Sequence, residues 1–337
     1  AARQLVINVP HVLGFAHRMY LVVVLCVTAL FSWSFSVRAV GWDVGIHYRN
    51  AARFADWEGD VETTVVDEAL IAANPTLAAQ DSRLSTIDAQ EDALDALDVD
   101  PAQPQGTIER LSSPLNYVVT VEYVPYALVM MPCRLVGLSP SRTLLAMRLV
   151  GGLFYSIVTY LGMRKLRCGK MLYATIALLP TSVFLAAELG YSYWLFSLCL
   201  YGCAMLAGML QGSVEVRLGT LLRMVGALLL GVLPRVVYAP LMFLCLLVPT
   251  ERFSGPRAAR TYRLVLVGSA LAALCVWLIP RLMSGFGTGD ARGGEVNPSA
   301  QIAYILSHPL EYAQTFARFA LPPLRMEGGA EIGRAHV

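Results

Sequence analysis

The chain has 337 residues, of which 56% are hydrophobic and only 15% charged, with a mean hydropathy of +0.56. A soluble domain carries about 25% charged and roughly 45–50% apolar residues, which excludes an ordinary globular enzyme here. The net charge of +2 comes from basic residues scattered between apolar runs, which excludes a nucleic-acid surface.

Residues 19–37, 171–187, 189–214, 236–250 and 264–280 contain no Asp, Glu, Lys or Arg. Runs near twenty residues match the bilayer's apolar thickness of about 30 Å. The expected fold class is all-α, a polytopic transmembrane helical protein with about seven spans in this chain. In order they cover 19–38, 142–163, 171–188, 192–211, 219–233, 235–249 and 264–283. The apolar run 219–249 would reach about 46 Å as one helix, too long for one span. Pro234 and Arg235 at its middle split it in two.

Basic residues set the expected orientation. Arg164, Lys165, Arg167 and Lys170 stand together without an acid, and Arg252, Arg257, Arg260 and Arg263 face only Glu251. Both segments read as cytoplasmic loops. Residues 38–113 carry five Arg against fifteen Asp or Glu, a balance of −10, and read as outside. Segment 114–137 contains Pro114, Glu122, Pro125, Pro132 and Arg134. A full crossing there would put the basic loop 164–170 outside, so the expectation is a re-entrant or juxtamembrane helix.

The domain organisation expected is an N-terminal segment with the first span (1–38), an acidic extracytoplasmic loop (39–113) and a polytopic membrane domain (114–283). A further extracytoplasmic loop with an amphipathic helix over 301–320 follows (284–330). Within the acidic loop, 42–70 reads as interfacial helix and 80–106 as solvated. The chain starts at Ala1 without Met, and residues 331–337 read like a translated sequencing adapter. The expectation is a fragment of a longer protein with a non-native tail.

Soluble-enzyme motifs such as the P-loop, GxGxxG, HExxH and GxSxG are absent. The seven cysteines show no CxxC pair or Cys/His spacing suited to zinc. The acidic loop lacks the spacing of a calcium loop. Candidate chemistry therefore rests on polar residues at the membrane. After span one comes Trp42-Asp43-Val44-Gly45-Ile46-His47-Tyr48-Arg49-Asn50. If helical, it puts Asp43 and His47 on one face, able to share a proton or hold a metal, with Arg49 available to a phosphate. The simpler alternative is an interfacial segment with Trp and Tyr at headgroup level. Arg148, Glu188 and Arg235 lie within or at the ends of spans, where ionisable residues face a cavity or a partner. In this topology all three gather at the extracytoplasmic side, Arg235 at the outer turn before Tyr238. Snorkelling and structural pairing would place them there equally well.

The stretch 177–187 (ALLPTSVFLAA) with Tyr191-Ser192-Tyr193-Trp194, and 234–241 (PRVVYAPL) with Leu247-Val248-Pro249 and Arg252-Phe253, resembles a bacterial family of membrane proteins, domain of unknown function 2142. Asp43…His47 and Gln301…His308-Pro309-Leu310 fit the same pattern, and the resemblance covers roughly 35–320. That family is in turn similar to the C-type membrane glycosyltransferases, which take sugars from polyprenyl phosphates. The resemblance implies such an architecture, Asp43 as base or metal ligand with His47 beside it, and Arg235 as the phosphate ligand where the family more often has Lys. Arg49, Arg148, Glu188 and Tyr238 are the remaining expected substrate contacts. Two positions depart from the pattern. Val44 stands where a Glu follows the first Asp, and Trp194 where an Asp follows Ser-Tyr. No cofactor is therefore expected, since a divalent metal would find only one of three carboxylates.

The implied function is a cell-envelope glycosyltransferase acting at the extracytoplasmic face of the bacterial plasma membrane. Its partners would be membrane lipid, a polyprenyl-phosphate sugar donor and a glycan acceptor, with no nucleic acid. The N-terminus would be cytoplasmic and loop 39–113 extracytoplasmic. The alternative is a non-catalytic protein that binds or moves a lipid-linked glycan intermediate. A transporter would show a repeat with helices broken near the midplane, whereas these charges gather at one face.

Overall fold

The computed structural model describes residues 9–34, 44–55, 61–63, 106–108, 114–253, 255–284 and 297–320. These residues form two compact units, Ala1–Leu278 and Ile279–Val337. The fold is all-α apart from one ribbon. Strands β1 (Val61–Thr63) and β2 (Gly106–Ile108) pair antiparallel, with Val61 opposite Ile108.

The bundle begins with α1 (Val9–Ser34). Thr28 and Ser34 sit in this apolar helix because their hydroxyls donate to the carbonyls of Val24 and Leu30. After α2 (Val44–Ala55) and α3 (Pro114–Val118), a 3-10 turn (Val121–Tyr123) leads into α4 (Val124–Leu135). The central helix is α5 (Pro140–Met163), which starts on Pro140, a residue suited to the first helical turn. It packs against α1, α4 and α8 (Ser192–Gln211). Close approach is bought by glycine. A Cβ on Gly151 would meet the Tyr126 hydroxyl at 2.8 Å, and one on Gly152 would meet Thr28 Cβ at 3.1 Å. Helix α8 closes on Gly212 at φ 74°, the left-handed cap that glycine adopts without strain.

Among the described residues, four helices are long and apolar enough to cross a membrane: 16–34, 141–163, 192–211 and 256–280. A fifth crossing exists if α6 (Lys170–Ala177) and α7 (Pro180–Ala187) make one span bent by 53°. The expected count of seven is thus not reached by length and composition. Expected span 171–188 is broken because Pro180 has no N–H to continue α6, so α7 starts afresh on it. The Tyr155 hydroxyl donates to the Ala177 carbonyl at 2.7 Å, satisfying a group freed at the break. The stretch 219–249 does divide near Pro234. Its halves are α9 (Leu218–Val232) and a 3-10 segment (Val236–Leu247) containing Pro240. At about 1.5 and 2.0 Å per residue both fall short of the apolar thickness.

Helix α10 (Pro256–Ser284) begins eight residues before the expected 264, so Arg257, Arg260 and Arg263 lie on the helix and not in a loop. Pro256 at its first position and the helix-forming Arg-Ala-Ala-Arg that follows extend it. Segment 114–137 is two short helices around a turn, neither long enough to span, as its prolines require. Expected spans 142–163 and 192–211 match α5 and α8. In the expected interfacial stretch 42–70, 44–55 is helical, 61–63 is a strand and the rest lies outside the described residues, as do 80–105 and 321–337. In the second unit, α11 (Pro298–Ser307) is capped by the Asn297 side chain, which accepts from Ala300 N at 3.0 Å. Pro309 starts α12 (Pro309–Ala320), so the expected single helix 301–320 is two.

The basic loops share one end of the bundle. The Gln211 carboxamide oxygen accepts from the N–H groups of Arg167 and Cys168, and Ser213 donates to the Lys165 carbonyl. Exposed Leu149, Leu153, Ile157 and Leu161 line the outside of α5, the arrangement of a lipid-facing surface.

Candidate functional site

The opposite end of the bundle is built differently. Helix α2 buries Val44, His47, Tyr48, Ala51 and Ala52 at helical spacing against α4. His47 is therefore an inward residue, 7% exposed, which the interfacial alternative did not anticipate. Its Nδ1 lies 2.6 Å from the Tyr123 hydroxyl, and the two rings stack with centroids 5.7 Å apart. Asn50, nearly one turn further on α2, accepts from Arg53 Nη1 at 2.9 Å. Tyr191 meets the His47 ring edge-on at 5.8 Å.

Glu122 sits in the 3-10 turn next to Tyr123 and is 2% exposed. Its Oε2 has no hydrogen-bond partner. Burial pushes its carboxyl up to about 8, against the smaller opposing pulls of its own backbone N–H and of Arg235. Arg235 precedes the 3-10 segment and lies 4.3 Å above the Tyr191 ring, a cation–π contact that leaves the guanidinium exposed. The Tyr193 hydroxyl donates to the Glu122 carbonyl, which ties the turn to the start of α8.

Glu188 caps the C-terminus of α7. Burial pushes it too up to about 8, opposed by Arg148. Arg148, 3% exposed inside α5, donates through Nε to the Ala187 carbonyl at 3.0 Å and reaches the Phe31 carbonyl at 3.4 Å. It thus staples α5, α7 and α1 together at this end. Tyr126 donates to the Gly190 carbonyl at 3.2 Å. A Cβ on Gly190 would lie 3.5 Å from Glu188 Oε1 and 3.6 Å from His47 Nε2, so both groups flank that glycine.

Of the residues expected from sequence, His47, Arg148, Glu188 and Arg235 share this end. Arg49 is half-buried on α2 and makes no hydrogen bond or ion pair among the described residues. Tyr238 is 42% exposed, and its backbone N–H donates to the Arg235 carbonyl at 3.0 Å. Asp43 lies outside the described residues. Sequence reasoning did not single out Asn50, Glu122, Tyr123 or Tyr191 as site residues. The signal that would have found Glu122 is a lone carboxylate within an apolar, proline-flanked stretch. Trp194, at the position of an expected Asp, donates its indole N–H to the Leu230 carbonyl at 2.8 Å and so joins α8 to α9. Among the described residues, no three His, Cys, Asp or Glu side chains converge, so this part of the cluster lacks the donor set for a divalent cation.

Apolar helices of spanning length, closed over a buried polar cluster at one end, define a multi-pass helical membrane protein. The family model for the predicted membrane protein family DUF2142 matches residues 18–321, and the chain belongs to that family. No curated protein and no solved structure matches it.

Proposed function

We propose that this protein transfers sugar from a polyprenyl-phosphate donor in the bacterial plasma membrane, with the basic loops cytoplasmic and the His47–Glu122–Arg235 end outside. The observation that carries this reading is an exposed arginine, held over Tyr191, at the same end of the bundle as a buried carboxyl whose Oε2 has no hydrogen-bond partner. The basic loops at the other end support the orientation. A lipid-linked donor stays in the leaflet and presents its phosphate at the membrane surface, where Arg235 neutralises it. The acceptor hydroxyl attacks the anomeric carbon as the bond to the phosphate oxygen breaks. Its proton passes to Glu122, and polyprenyl phosphate leaves with the bonding electrons. His47 orders Tyr123 beside that carboxyl. Glu188 and Arg148 shape the floor near Gly190, and Arg49 and Tyr238 are outlying substrate contacts. Asp43 is the competing base.

The test uses the protein in nanodiscs, titrated with undecaprenyl-phosphate sugar. Arg235→Ala is expected to weaken binding at least tenfold, while Glu122→Gln keeps binding and loses turnover. A proton acceptor near 8 makes turnover rise with pH through about 8. A profile rising near 4 and abolished by Asp43→Asn would assign the base to Asp43. Binding without turnover in wild type would make the protein a carrier of lipid-linked glycans, and no binding would overturn both readings.

A further inference from the structure

At the basic end, away from the polar cluster, a cleft of about 500 Å³ opens between α9 and α10. Leu221, Leu222 and Val225 of α9 face Ala258 and Val265 of α10 across it. Its volume lies in the range of sites that bury a small apolar ligand. Charge is confined to the lead-in to α9, where Arg217 Nε meets Glu215 Oε1 at 2.6 Å, both side chains largely exposed. On α10 the lining positions are 258, 261, 262 and 265. Arg257, exposed and one turn before Thr261, precedes that lining on the same helical stripe.

Two further observations indicate what fills the cleft. Little of the 256–280 span is covered by protein, and Leu264, Val267 and Leu271 are exposed along it. Leu218 and Leu222, which line the cleft from α9, are exposed as well, so the seam opens to the apolar phase on that side. The surroundings are also one-sided in charge. Arg217, Arg252, Arg257, Arg260 and Arg263 cluster in the sequence around this end, against Glu215 and Glu251 alone.

We propose that the cleft binds an anionic phospholipid of the surrounding bilayer, one acyl chain lying between α9 and α10 and its phosphate meeting Arg217 and Arg257. The Glu215–Arg217 pair is solvent-exposed and weak, so a phosphate displaces Glu215 readily. A zwitterionic lipid fills the same apolar cleft but gains little from the two guanidinium groups. Each arginine near the membrane surface favours an anionic lipid by about five-fold. This site is independent of the transferase reading and does not fall with it.

The experiment reconstitutes the full chain in equal phosphatidylglycerol and phosphatidylcholine and reads the retained lipid by native mass spectrometry. Wild type is expected to retain phosphatidylglycerol preferentially. Arg217→Gln and Arg257→Gln should each cut that preference about five-fold. Glu215→Gln should raise it, a direction that a purely structural ion pair would not produce. Leu222→Trp, which fills the cleft from a half-exposed position, should abolish retention of either lipid. Arg142→Gln, on an exposed residue at the start of α5, serves as the control. Equal retention of the two lipids, an unchanged preference in both arginine variants, or unchanged retention in Leu222→Trp would each overturn the site.

Discussion

The two ends of the bundle treat their charged residues in opposite ways. At the basic end Arg164, Lys165, Arg167 and Lys170 are exposed or half-buried, and much of the joining falls to uncharged groups, with Lys170 also reaching His17 Nε2 at 3.0 Å. Gln211 and Ser213 close the loops onto one another through backbone atoms. At the other end Glu122 and Arg148 are buried to 2% and 3% exposure and the loops are tied by tyrosines. The difference teaches where work can be done. Exposed charges are screened and set orientation in the bilayer. A desolvated carboxyl is a strained group whose protonation depends on what approaches it.

The largest expected effect breaks this contrast at Glu122. Its folded-state carboxyl is raised to about 8, so the folded protein holds a proton that the unfolded chain has released. Stability is then highest below the ordinary carboxylate value near 4.5. It declines by about 1.4 kcal/mol per pH unit as pH rises towards 8, and is flat above. Glu122→Gln removes the share of the decline that belongs to Glu122 and leaves the share of Glu188, whose carboxyl burial raises likewise. Unfolding in detergent should find the two proteins similar at pH 4 and the variant more stable at pH 9. A wild-type curve parallel to the variant's would show that Glu122 is not desolvated. No comparable slope is expected from the exposed residues of the basic end.

A second effect tests the packing that supports the cluster. Gly151→Leu drives a side chain into the Tyr126 hydroxyl and should cost about 1–3 kcal/mol, read as a lowered midpoint of thermal unfolding. Gly226→Leu, on α9 where an added Cβ meets nothing within 4 Å, should leave the midpoint nearly unchanged. Equal effects at both positions would mean that α4 is not seated on α5 as described. The smallest effect concerns the tyrosine link. Tyr123→Phe leaves His47 Nδ1 without its hydroxyl partner and should destabilise by about 1–2 kcal/mol. The imidazole NMR signals should shift with it, and an unmoved His47 resonance would count against the pairing.

Much of the scaffold was legible because burial in lipid leaves a one-dimensional record. Helices α5 and α8 coincide with expected spans 142–163 and 192–211, since an apolar run without charge must be helical to satisfy its backbone. The break near Pro234 and the short helices of 114–137 were also legible, because proline removes a donor wherever it stands. The membership of the family followed from motif residues along most of the chain. Less legible was the early start of α10, where charged residues read as a loop although arginine and alanine favour helix. The 53° bend between α6 and α7 was missed because hydropathy is continuous across it.

The candidate site divides in the same way. Composition alone determined that this is a helical membrane protein, and the spacing of apolar runs determined most of its segments, because the bilayer's thickness acts on each segment separately. His47, Arg148, Glu188 and Arg235 stood out for a similar local reason, being ionisable groups at or within apolar sequence. Only the tertiary structure decided that Tyr123 would hold His47 across 76 positions of sequence and that Arg235 would settle over Tyr191 beside Glu122. Desolvation is a property of everything packed around a group. It therefore exists only once α2, α4 and α8 have closed around that turn.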